Sequence, residues 1–145
     1  MMAYNLKALV MTGLAAAMLT AAPAAQAGDA LSDMLAGKSA MKGKKLEKAI
    51  QKADEHPLGS EENPVRAAQP QGQRAYLAKL RCADGNAPEF NRSGNVGVGV
   101  FDNIVDAYVV TCAGSEPASS TIFMDMYHAG YVETRAVPGF TIAAP

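Results

Sequence analysis

Tryptophan is absent, and cysteine and histidine occur only twice each in 145 residues. Neither charge sign dominates: 13 Lys and Arg stand against 14 Asp and Glu, a formal charge of −1. That balance excludes a polycation that coats nucleic acid by bulk charge, and it excludes an acidic disordered tail. The length admits one domain and scarcely two, which excludes large multidomain enzymes. Apolar residues make up 49%, but 28 residues are Ala, and ten of these precede Gly28. No Gly-x-Ser-x-Gly elbow is present. The run Gly94-x-x-Gly97-x-Gly99 precedes strand-like residues 101–110, whereas a phosphate cradle needs a helix N-terminus at that point. A turn or bulge is the expectation there.

What is present starts with residues 1–27. Lys7 supplies a positive flank, residues 8–20 form a weakly polar to apolar run of 13, and Ala25-Gln26-Ala27 offers small residues at both positions a signal peptidase must accept. We read a secretory signal peptide, with export to the periplasm or the medium. A membrane anchor is the alternative, but a spanning helix needs about 20 apolar residues and Pro23 interrupts this run. No twin Arg precedes it, and no Cys follows the cleavage site for lipid attachment. Removing 27 residues leaves 118, with a charge of −2 and no transmembrane anchor.

Export changes the meaning of Cys82 and Cys112. In an oxidising compartment an isolated pair forms a disulfide. Closing such a loop stabilises by roughly 3–4 kcal/mol in the chain-entropy model. A redox pair is the alternative, but such pairs sit as Cys-x-x-Cys at a helix N-terminus, and these two are 30 positions apart. Zinc needs more ligands than His56 and His128 add. No cofactor is implied.

The aromatics divide the mature chain. None falls between residues 28 and 75, and eight lie between Tyr76 and Phe140. Because aromatic side chains dominate small cores, the packed module is expected over 64–145, preceded by a basic, partly helical arm over 28–63. In the arm, Leu46, Ala49, Ile50 and Ala53 follow helical spacing, and His56-Pro57 stops the helix. Six Lys and one Glu between residues 38 and 52 give a local charge of +5. Lys44, Lys45, Lys48 and Lys52 are therefore anion-binding candidates, for a lipid surface, lipopolysaccharide or nucleic acid. The plainer reading is a solvated helix face, since Ala supplies half of a thin apolar stripe.

Pro57, Gly59, Pro64, Pro70 and Gly72 mark residues 56–73 as loop. Residues 73–80 read as a short helix, residues 88–92 as a short strand, and residues 104–112 as the clearest strand. A turn over 113–120 predicts a hairpin to residues 121–127, with Ile122 and Met124 facing the core. Thr141 and Ile142 add an edge. The expected fold is α+β: one or two helices packed on a small antiparallel sheet, with one disulfide.

Three candidate constellations follow. Asp125 and His128, flanking Tyr127, place a carboxylate near an imidazole, as a general base or metal ligand requires. On a regular strand, positions 125 and 128 face opposite ways, so they converge only if the strand ends or bulges near Tyr127; Ala129-Gly130 offers an ending. A two-histidine acid–base pair, His56 and His128, needs a distance that nothing in the sequence fixes; a metal set of His56, Asp125, His128 and Glu133 lacks ligand spacing. Asp106 is expected to face outward, or else to need Arg81 or Arg92. Phe101, Tyr131 and Phe140 lie within two residues of a Gly and are candidate exposed anchors, although the core is their default.

The stretches His56-Pro57-Leu58-Gly59-Ser60, Asn63-Pro64-Val65-Arg66, Arg81-Cys82-Ala83-Asp84-Gly85 and Met124-Asp125-Met126-Tyr127-His128 resemble small exported bacterial proteins without an assigned activity. The resemblance spans residues 56–142, implies an exported context and transfers no site residue. With no triad spacing and few titratable residues, the expected function is non-catalytic binding of an envelope protein or ligand, with no specific nucleic acid. The alternatives are a small secreted hydrolase using His128 and Asp125, and an anionic-surface binder acting through the Lys-rich arm.

Overall fold

The computed structural model describes residues 31–143, so the leader read at residues 1–27 lies outside the described residues. Residues 31–35 are helical, and helix α1 spans Gly43–Ala53. It stops just before His56-Pro57, where proline cannot continue a helix. Strand β1 (Val65–Ala68) runs into helix α2 (Gln69–Lys79) and the two-residue strand β2 (Leu80–Arg81). Four more strands follow: β3 (Glu89–Val98), β4 (Ile104–Thr111), β5 (Ser119–Asp125) and β6 (Tyr127–Val132). Strand β7 (Thr141–Ile142) closes the series.

The fold is α+β with one disulfide, as expected, but the sheet is neither small nor wholly antiparallel. Its five strands lie in the order β3-β4-β5-β1-β6, and β1 pairs parallel to β5. Strands β2 and β7 form a separate antiparallel ribbon. The departure has one source: β1 occupies a stretch whose Pro and Gly spell loop. Four residues are too few to show a period of two, yet β1 is inserted between β5 and β6 and pairs with both. Helix α2 also starts four residues earlier than its apolar positions suggest, because Pro70 fits the first helical turn, where no N–H partner is needed. The glycines in β3 do not end it. The strand passes them through two register shifts, between Arg92 and Gly94 and between Asn95 and Val98.

The two sheet faces have different partners. On one face Val65, Tyr108, Val110, Ile122 and Met124 pack with Tyr76, Leu77 and Leu80. Complete burial of a side chain such as Leu77 or Ile122 contributes about 1.5–3 kcal/mol. The Cys82–Cys112 disulfide, with Cα atoms 5.8 Å apart, joins the same core and ties β2 to the end of β4. Alternation along β1 and β5 then puts Arg66 and its neighbour Asp125 on the opposite face. That face receives residues 38–46: the Ala40 N–H donates to Asn103 Oδ1 at 2.8 Å, and Lys45 pairs with Asp102 at 2.9 Å.

Candidate functional site

Strand β5 ends at Asp125, Met126 belongs to neither strand, and β6 begins at Tyr127. The break brings together two side chains that a continuous strand would separate. Nε2 of His128 lies 3.2 Å from Oδ2 of Asp125. The break sits at Met126 and not at Ala129-Gly130, which β6 crosses with Gly130 at φ +76°.

Asp125 is completely buried, and its oxygens are occupied. Oδ1 accepts the Tyr127 N–H at 2.9 Å, and Oδ2 accepts Asn103 Nδ2 at 2.8 Å. A buried carboxylate demands such donors. His128 is buried too, with its ring edge-to-face on Phe101 at 5.1 Å between centroids. Its Nε2 is within ion-pair range of Asp125 but off the line of a hydrogen bond. Asn103 also donates to Ser39 Oγ at 3.2 Å, so one amide links the arm, the β3–β4 turn and Asp125.

His128 opens onto a cleft of about 430 Å³ between the arm and the sheet. Lys38, Lys42, Leu46 and Ile50 line the arm side. Arg66, Tyr127 and Tyr131 line the sheet side. Arg66 is only 8% exposed; its Nη2 donates to the Tyr131 hydroxyl at 3.0 Å, and its Cζ lies 4.3 Å from that ring's centroid. The Tyr131 hydroxyl donates in turn to Glu133 Oε2 at 3.1 Å. Burial pushes the Glu133 carboxyl up, but hydrogen bonds from the Arg135 side chain and backbone outweigh it, and the group sits below its ordinary range. Burial raises the hydroxyls of Tyr127 and Tyr131, with Asp106 and Asp125 adding to the first.

Other candidates lie elsewhere. His56 is exposed and lines a different cleft, beside Ala49 and Lys52. Glu133 is engaged by Arg135, and among the described residues no group of three His, Cys, Asp or Glu is placed to hold a metal ion. Asp106 faces inward, not outward, and takes Arg92 as partner at 2.6 Å. Phe101 and Phe140 are core residues and not exposed anchors, while Tyr131 is half-buried at the cleft. Lys44, Lys48 and Lys52 are exposed, and Lys45 is ion-paired. Residue-by-residue reading missed Arg66, Asn103 and Ser39, which belong to no motif and meet only through the fold.

No described helix is long and apolar enough to cross a membrane. Comparison with protein-family models, with curated proteins and with solved structures finds no match.

Proposed function

We propose that the chain is an exported, disulfide-braced bacterial protein that binds a ligand in the cleft between arm and sheet and does not transform it. The observation that carries this reading is the state of Asp125: fully buried, with both oxygens accepting hydrogen bonds from Asn103 and Tyr127. A carboxylate so engaged fixes the Asn103 amide and the backbone at the strand break. It is not available to move protons for a substrate. Ser39, the serine lining the same cleft, accepts from Asn103, and no hydrogen bond joins it to His128. Nucleophile activation requires that contact. Native mass spectrometry of the protein as isolated tests the reading: a retained small molecule at one per chain supports it. Sustained turnover of ester or phosphoester substrates, abolished by His128→Gln, contradicts it.

A second reading, a small hydrolase using His128 and Asp125, draws on the 3.2 Å contact beside a cleft. There His128 acts as base and Asp125 sets its orientation. That reading requires Asp125→Asn and His128→Gln to lower kcat together. A third, attachment to anionic surfaces, draws on the exposed Lys44, Lys48 and Lys52. It requires retention on anionic vesicles at low salt that disappears at high salt.

A further inference from the structure

Arg66 is the least compensated charge in the cleft. A guanidinium has five N–H donors. At 8% exposure it hydrogen-bonds one described side chain, the Tyr131 hydroxyl, and forms no ion pair with a described carboxylate. Asp125 is its neighbour across the parallel pair, but the oxygens there are taken by Asn103, Tyr127 and the approach of His128. Burying a cation without an anion is costly, and a bound anion removes that cost.

Charge and shape narrow the anion. Lys38 and Lys42 both contact Asp33. Those two lysines thus share one carboxylate, and Arg66 is the lining cation that pairs with no described carboxylate. A singly charged head group matches it; a phosphate dianion does not. The planar guanidinium pairs with a carboxylate through two parallel hydrogen bonds. Opposite the charge, Met41, Leu46 and Ile50 offer an apolar wall. A cleft of about 430 Å³ is of small-molecule size.

We infer that the cleft holds a monocarboxylate with a short apolar body, its head on Arg66 beside His128 and its body along Leu46 and Ile50. This rests on the binding reading above. The same chemistry has two sources, a free organic acid or the C-terminus of an apolar peptide.

Amide NMR titration of the oxidised protein tests the inference. The probes, at about 1 mM, are hexanoate, hexanol, inorganic phosphate, and an apolar tripeptide with a free or amidated C-terminus. Hexanoate should shift the amides of Ile50, Arg66 and His128, and hexanol and phosphate should not. Arg66→Gln should weaken hexanoate at least tenfold. Leu46→Asp, on the half-buried helix wall, should weaken it similarly and guards against a misfolded Arg66 variant. Tighter binding of the free tripeptide than of hexanoate, lost on amidation, assigns the peptide source; the reverse order assigns the free acid. Unchanged hexanoate affinity in both variants overturns the inference. Shifts of the same amides by hexanol or phosphate but not hexanoate also overturn it and leave the binding reading standing. No shift with any probe overturns the inference, while the binding reading is decided separately by native mass spectrometry.

Discussion

Asn103 and Asp125 are 22 positions apart and meet through one hydrogen bond of 2.8 Å, buried where the arm crosses the sheet. The same Asn103 side chain accepts the Ala40 N–H and donates to Ser39. One amide therefore satisfies the carboxylate beneath His128 and fastens residues 39 and 40 over it.

Replacing Asn103 with Ala should be more damaging than an ordinary polar truncation. It leaves a buried carboxylate short of a donor, at a cost of about 1–3 kcal/mol. Amide hydrogen exchange should quicken over residues 38–46, with little change in the β4–β5 hairpin. Uniform loss of protection would refute the fastening role.

Gly59 has φ +89°, and a Cβ there would lie 2.7 Å from Val137 Cγ1. Its carbonyl accepts the Phe123 N–H at 2.9 Å, so the turn cannot drift without loosening β5. Gly59→Ala should cost about 1–3 kcal/mol from the left-handed backbone alone, with the clash added. Urea unfolding measures it, and an unchanged midpoint would show that the turn relaxes.

The disulfide closes the loop from Cys82 to Cys112, which contains β3 and β4. Cys82→Ser with Cys112→Ser should lower stability by roughly 3–4 kcal/mol in the chain-entropy model. The urea midpoint should fall with little change in the final folded spectrum. No difference between oxidised and double-mutant protein would remove the brace from the account.

Glu133 gives a pH prediction. Its folded-state carboxyl is held below the ordinary 4.5, with Arg135 overcoming burial. A depressed pKa means that the stabilisation is complete above about pH 4.5 and is lost as pH falls through the lower folded-state value. The stability gap between wild type and Glu133→Gln should therefore be largest near neutral pH and shrink below pH 4.5. A gap independent of pH would assign the loss to packing.

Much of the framework is legible in the chain. Residues 104–112 are rich in β-branched and aromatic side chains and residues 121–127 alternate in sequence; both form strands, and Ile122 and Met124 do point into the core. The Cys82–Cys112 pairing likewise follows from the chain having two cysteines, which leaves one possible intrachain bond. Strand β1 is not legible, because its four residues take their conformation from β5 and β6 and not from local pattern. The Asp125–His128 contact is half legible: the need for a break near Tyr127 can be stated, but its position at Met126 cannot. Ser39, Arg66 and Asn103 are illegible for a different reason. Each is an ordinary polar residue locally, and the contacts that give it a role span 22 to 65 positions.

Intact-mass analysis of the protein made in its native host tests the central claim, that an exported chain is braced covalently before it binds anything. A mass beginning at Gly28 and two hydrogens below the dithiol form is the predicted result. A chain that still carries its first 27 residues, with Cys82 and Cys112 both open to alkylation without reductant, would contradict it.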